Sequence, residues 1–307
     1  MKIWIVSDGT DSLVQSFELA KHLTSPKNIY KIYKDDNYLE LFARAADKPD
    51  LCIGVGFNVA DALVEIKAAS NNKTKIAIIL DPLKHYEKFD YIILPSYEPY
   101  KVLGNVIWCS GLINFVNENY LSEKLLEYKS FEKYRYLREM NLKPPFVTAI
   151  IGGRHTGGNV DEVDAAIIAN KINDIVAAQD GTALISSSRR TEIKTMQALQ
   201  ENIKVPALFY DYKSRQFENP YGVFLALADE IIVTGESVRM MSECCSTGKK
   251  VRIYRPNQFG FQYDSLINEF INNSNAIEFK DERPNFNPKK FCEAERIANF
   301  ILKDFVK

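Results

Sequence analysis

Histidine occurs only three times in 307 residues, and never close in sequence to a cysteine. That scarcity argues against a His/Cys metal site. The five cysteines, at 52, 109, 244, 245 and 292, are odd in number and scattered. Neighbouring Cys244 and Cys245 point in different directions on a helix, which suits neither a structural bridge nor a zinc clip. No metal and no bound cofactor are expected. No segment approaches the roughly 18 consecutive apolar residues that span a bilayer. The opening "MKIWIVSDGT" runs directly into a strand-like stretch without the apolar core or cleavage site of a secretory leader. A reducing cytoplasm is the expected compartment. A formal net charge of −1 supplies no field to recruit nucleic acid or an anionic membrane. Low-complexity tracts and short repeats are also absent.

The sequence is 46% hydrophobic and 26% charged, in the range of a globular protein. Short apolar runs alternate with helix-length amphipathic segments. "KIWIVS", "LCIGVG", "KIAIILD" and "DYIILP" read as buried strands, with helices expected over 12–23, 38–46 and 59–69 between them. Strands buried on both faces and separated by helices indicate a mostly parallel sheet. A charged, aromatic stretch then runs from Asn119 to Asn141, and Lys143-Pro144-Pro145 closes it as an expected domain boundary. The same plan restarts with "FVTAIIGG", a long helix, "TALISSS", another helix and "PALFYD". The expected fold class is therefore α/β, with two facing Rossmann-like domains and a cleft between them. Their expected bounds are 1–143 and 144–285. A C-terminal helix at 286–307 shows an apolar face of Ala294, Ile297, Ala298, Ile301, Leu302 and Phe305, with Pro288 suited to its first turn.

Ligands of such sheets bind beyond the carboxyl ends of the strands, where loops enter helices. Four loops qualify. In "VSDGTDSLVQS", Asp11 or Ser12 suits a helix N-cap. Asp8 precedes the glycine, outside the helix, and is the candidate general base. In "IIGGRHTGGNVDE", Gly152 and Gly153 let backbone N–H groups approach an oxyanion and Arg154 brings charge; the alternative is an open, solvated turn. His155 is a candidate proton donor, and equally a bystander. The loop is neither a Walker loop nor G-x-G-x-x-G, so a nicotinamide dinucleotide is not expected. In "ISSSRRTE", Ser187, Ser188, Arg189 and Arg190 precede a helix that Thr191 can cap. Guanidinium and hydroxyl groups there make a phosphate site. One arginine is expected to bind, the other to pair with a carboxylate such as Glu192.

The fourth loop lies within "DEIIVTGESVRMMSECCSTGKKVRIY", a strand, an abrupt turn, a short helix and another strand. Ser237 is placed to cap the helix and Gly248 to end it. Glu236 and Glu243 lie two turns apart on one side. A Glu243–Arg239 pair is the purely structural account, and a ligand contact by both carboxylates is the functional one.

Together, "SDG…Q", the Gly-Gly after the linker, "SSSRRTE" and "NPYGVFLALADEIIVTGESVRMMSECCSTGKKV" resemble the mitochondrial fission (elongated-mitochondria) family of plant proteins and proteobacterial homologues. The resemblance covers nearly the whole chain and is strongest from Thr182 to Val251. It implies a fold similar to GT-B glycosyltransferases, with the last helix returning to the first domain. It also implies Glu243 near a ribose, and Ser237 with Arg189 or Arg190 near a diphosphate. Two departures stand out: "TDSLVQS" replaces the family's further glycine and basic residues, and Gly248-Lys249-Lys250 replaces Gly-Lys-Pro.

The leading expectation is a metal-independent glycosyltransferase, consistent with the absence of an Asp-x-Asp motif. Its partners would be a nucleotide-sugar and an unknown acceptor. Alternatives are a nucleotide-sugar epimerase of the same fold, or a non-catalytic regulatory protein with peripheral membrane contact through Tyr128–Arg138.

Overall fold

The branched apolar runs become buried parallel strands, and the amphipathic segments pack on their faces. The computed structural model describes residues 1–9, 13–99, 103–215, 217–282 and 286–305. Asp11 and Ser12, the expected caps of the first helix, lie outside the described residues. The chain divides into two compact units, Met1–Phe115 with Cys292–Lys307, and Val116–Phe291.

The first unit runs β1 (Ile3–Ser7), α1 (Leu13–Leu23), β2 (Ile29–Tyr33), α2 (Tyr38–Arg44), β3 (Leu51–Val55), α3 (Ala60–Ala69), β4 (Lys75–Ile79), β5 (Tyr91–Pro95) and β6 (Val106–Cys109). Its strands pair in parallel in the order β2-β1-β3-β4-β5-β6. β1, β3 and β5 are wholly buried, as their unbroken Ile/Val/Leu runs require. β2 and β6 lie at the sheet edges; β2 is largely exposed, which is why no continuous apolar run marks it, and β6 is a short run that is buried or partly buried throughout. Trp4, Phe42, Leu63 and Ile66 fill one face of the sheet.

The second unit opens with α4 (Glu118–Ser130), α5 (Arg135–Glu139), β7 (Phe146–Ile151), β8 (Gly158–Asn159) and α6 (Glu162–Gln179). It continues with β9 (Thr182–Ser187), α7 (Ile193–Asn202), β10 (Ala207–Tyr210), α8 (Tyr221–Leu227), β11 (Glu230–Thr234) and α9 (Val238–Ser246). It closes with β12 (Lys250–Tyr254), β13 (Gln258–Phe259), α10 (Phe261–Asn272) and β14 (Ile277–Glu278). The main sheet is again parallel, in the order β10-β9-β7-β11-β12-β14, while β13 and β8 form a separate antiparallel pair. The long helix α6 is held at its start by a capping box between Asp161 and Asp164. Asp164 is fully buried, where it also accepts from the Tyr254 hydroxyl at 2.7 Å and the Asn257 amide at 3.0 Å.

The segment 116–143, read from sequence as the end of the first half, clusters with the second unit. The reason is packing: Tyr134 and Leu137 share a core with Leu184, Val223 and Phe224. The last helix, α11 (Glu293–Phe305), belongs to the first unit. Ala294, Ile297, Ala298 and Ile301 are buried against Leu19, Ala20 and Leu23 of α1. Pro288 does not lie in that helix. Residues 286–291 are tied to the second unit, where the Lys289 amide donates to the Ser274 carbonyl and the Phe291 amide to the Cys245 carbonyl. Among the described residues no helix is long and apolar enough to cross a membrane.

Both main sheets reverse their winding beside the first strand of the unit. The switch lies between β1 and β3 in the first unit, and between β7 and β11 in the second. Crevices outside the carboxyl ends of strands at such points hold the ligands of open α/β sheets.

Candidate functional site

At the switch point of the second unit, β7 ends in Gly152-Gly153 and β11 ends in Thr234-Gly235-Glu236. The two turns are stitched together. The Gly152 amide donates to the Thr234 hydroxyl at 2.9 Å, and the Gly153 amide donates to Glu236 Oε1 at 3.0 Å. Both glycines are needed for closeness rather than for φ. A Cβ on Gly152 would overlap the Glu236 carboxylate, with Cδ 2.6 Å away, and one on Gly153 would overlap the Arg190 carbonyl and stand 2.6 Å from Thr191 N.

The turn between β9 and α7 closes the third side. Thr191 does not cap α7, whose N-cap is Glu192 and makes no side-chain cap bond. Instead the buried Thr191 hydroxyl lies 3.0 and 2.5 Å from the carbonyls of Ile151 and Gly152, and accepts from the Ser188 amide at 2.8 Å. Ser188 Oγ in turn accepts from the Arg190 amide at 3.2 Å. Ser187 is drawn away from this cluster, donating to Asp211 at 3.0 Å and accepting from the Tyr212 amide at 2.9 Å.

The glycine loop is not an open turn. His155 and Gly158 close a tight hairpin through reciprocal backbone bonds of 2.8 and 3.1 Å, and Gly158 and Asn159 pair with β13. Arg154 is exposed at the hairpin, and His155 is half buried. Burial and the charge of Arg190 hold the His155 imidazole below its ordinary value, with the Glu236 carbonyl opposing.

Arg190 is the charged centre of the cluster. Burial lowers its affinity for a proton, Arg189 and Arg239 push the same way, and Glu236 opposes them. Among the described residues none of Arg154, Arg189, Arg190 and Arg239 enters an ion pair, so the expected Arg189 or Arg190 pair with Glu192 does not form. Arg239 stands in the first turn of α9, which holds no acidic residue, so its charge faces the positive end of the helix dipole. Ser237 occupies the N-cap position of α9 without a side-chain cap bond. Sequence reading treated Arg239 only as a partner for Glu243, and its place beside Arg190 depends on tertiary packing.

Glu243 lies apart from this cluster. It is buried and takes a hydrogen bond from the Tyr221 hydroxyl at 2.5 Å in place of an ion pair with Arg239. Burial raises its pKa, opposed by the Tyr221 bond and the Arg239 charge. Tyr120 of α4 is near enough to feel that carboxylate. Beyond β10, Tyr210, Tyr212, Arg215, Phe217, Glu218 and Asn219 line an open hollow of about 500 Å³. The Arg215 guanidinium lies 5.1 Å from the Tyr212 ring centroid. These aromatic residues were not singled out from sequence, although "FYDYKSRQF" is dense enough in rings to have marked them.

Asp8 belongs to the first unit. It follows β1 at that unit's switch point, and accepts from the Asn58 side chain at 3.0 Å. The structure thus brings together Gly152, Gly153, His155, Ser188, Arg189, Arg190 and Glu236. It turns Ser187 to Asp211 and Glu243 to Tyr221, and exposes Arg154.

A sequence model described as Mitochondrial fission ELM1 matches residues 13–305. An uncharacterised protein of Rickettsia prowazekii is 26% identical, covering 98% of each chain. The mitochondrial fission protein ELM1 of Arabidopsis thaliana is 22% identical over 67% of this chain, which spans 52% of that protein. Among solved structures, UDP-GlcNAc 2-epimerase from Methanocaldococcus jannaschii aligns over 99% of this chain and 100% of its own. The TM-score is 0.51 at 13% identity, a likeness of fold. That fold is the GT-B type, two Rossmann-like units each built on a parallel sheet.

Proposed function

The chain belongs to the mitochondrial fission ELM1 family, and from that premise we propose that its second unit binds the nucleotide part of a nucleotide-sugar, in the service of metal-independent glycosyl transfer. The observation that carries this reading is Arg190. A half-buried guanidinium, crowded by Arg189 and Arg239 and lacking an ion pair among the described residues, stands beside the Gly152-Gly153 turn at a topological switch point. Clustered positive charge with no ion-pair partner among the described residues, at a strand-end turn, is a demand for an oxyanion. A diphosphate supplies it, held by Arg190, Arg239 and Ser188.

The remaining groups fit the rest of such a ligand. Glu243 offers its second oxygen to ribose hydroxyls while Tyr221 fixes the first. Tyr212 and Phe217, both half buried at the hollow beyond β10, offer rings to a base, a contact that stacking makes favourable. In transfer, the arginines stabilise the departing nucleoside diphosphate, and Asp8 of the first unit is the base for the acceptor hydroxyl.

A second reading, sugar epimerisation without an acceptor, is favoured by one feature. Glu236 and His155 lie in the same cluster with Glu236 pushed toward its protonated form and His155 toward its neutral form, a setting suited to acid/base work on the sugar itself. Turnover of a nucleotide-sugar with no acceptor present distinguishes the two.

The test is thermal unfolding with and without UDP, GDP, CMP and ADP, since a ligand of the folded state raises the midpoint. One nucleotide is expected to raise it in the native protein. Arg190→Ala should weaken that nucleotide by roughly 10- to 100-fold, the loss of one or two charge-assisted hydrogen bonds of about 1.5–3 kcal/mol. A variant that keeps its shift unchanged contradicts the assignment of Arg190.

A further inference from the structure

Glu236 is fully buried, yet only one of its two carboxylate oxygens has a hydrogen-bond partner among the described residues. Oε1 accepts from the Gly153 amide at 3.0 Å, and Oε2, also buried, has none. The carboxylate lies over the Gly152-Gly153 turn, in space that no residue but glycine leaves open. It therefore holds the position from which an anion would be bound by the Gly153 amide, the Gly152 amide being held by Thr234. No ion pair joins it to Arg190, although that charge acts on it.

We propose that Glu236 is a built-in occupant of the phosphate cradle, and that an entering phosphate is accepted only with a proton taken up by its carboxylate. The inference rests on the reading of this turn as a phosphate site. An ionised carboxylate and a phosphate sharing one amide cradle repel strongly in a water-poor site. Protonation removes the repulsion and turns Oε2 from an unpartnered acceptor into an O–H that donates to a phosphate oxygen. The proton comes from solvent, and no covalent bond is made or broken.

The surroundings set the direction of the effect. Burial raises the Glu236 pKa, opposed by its own backbone amide, the Thr234 hydroxyl, the Gly153 amide and the Arg190 charge. From the hairpin, His155 has its ring beside the Glu236 carbonyl. From the β9–α7 turn, α9 and α10, Arg189, Arg239 and Tyr263 act on Arg190 and so bear on Glu236 indirectly. A carboxyl whose protonated form is favoured, and favoured further by an incoming anion, takes up its proton as pH falls. Phosphate affinity should therefore rise toward acid and fall as Glu236 ionises. His155 charging at low pH would add to the same trend, so the carboxyl must be isolated by substitution.

The experiment is calorimetric titration of inorganic pyrophosphate into the full chain and into Glu236→Gln, in two buffers of different ionisation heat. Comparing the two proteins cancels the titration of pyrophosphate and of His155. The native protein should take up close to one more proton per pyrophosphate than Glu236→Gln, and the variant should bind roughly tenfold tighter above neutrality, with the gap closing toward acid. Equal proton uptake and equal affinity in both proteins overturn the inference and leave the phosphate site standing. Binding by neither protein overturns the phosphate reading and this inference with it. Should Glu236→Gln not fold, Glu236→Ala serves for the same comparison. Native affinity that does not rise toward acid defeats the proposal without any variant.

Discussion

Glu230→Ala is expected to lower the unfolding free energy by about 3–5 kcal/mol, the usual cost of stranding one partner of a buried ion pair. Glu230 and Arg252 are 5% and 3% exposed and lie diagonally on the neighbouring strands β11 and β12, with Glu230 in register with Lys250. Arg252 Nε donates to Glu230 Oε1, and the Lys250 ammonium lies 3.4 Å from Oε2. With the carboxylate gone, the hydrogen-bond partners left to the Arg252 guanidinium among the described residues are the backbone carbonyls of Asp281 and Phe279, which cannot neutralise its charge. Denaturant unfolding monitored by circular dichroism reads the change. A loss below about 1 kcal/mol, typical of an exposed pair, would show that solvent reaches this pair.

Gly153→Ala is expected to cost about 3 kcal/mol or more, at the upper end for overpacking. The atoms it would meet are the Arg190 carbonyl and Thr191 N, which are backbone and cannot rotate aside. Relief requires moving the β9–α7 turn away from β7, which breaks the hold of Thr191 on the Ile151 and Gly152 carbonyls. Gly152→Ala differs in kind, because it meets the end of the Glu236 side chain, which can swing away. It should be the milder change in stability, and the pair of variants compared by thermal unfolding checks that ordering.

The central strands could be read because burial on both faces leaves unbroken apolar runs such as "IWIVS" and "EIIVT". β2 could not, since this edge strand exposes much of its length and carries Tyr and Lys there, and β6 is only four residues long. The division between the units shifted to Phe115 because the charged faces of α4 and α5 hid the few residues, Tyr134 and Leu137, that commit them to the second core.

The same contrast governs the site. Gly152, Gly153, Arg190 and Glu236 could be picked from sequence because each lies in the loop that leaves a strand, and strand ends are where parallel sheets expose their loops. What each one touches could not be read. Ser187 turns to Asp211, and Thr191 binds backbone rather than capping α7. Glu243 meets Tyr221 across 22 residues, not Arg239 four residues away. Helical spacing names possible partners, whereas the packing of α8 against α4 and of α9 on β11 chooses among them.

The most direct measurement is calorimetric titration of the native protein with UDP, GDP, CMP and ADP and their sugar conjugates. Saturable binding of one of these nucleotides, at one per chain and with its sugar conjugate also bound, is the expected result. Absence of binding by every one of them would contradict the donor-site assignment, leaving the arginine cluster around Gly152 and Gly153 to serve some other anion.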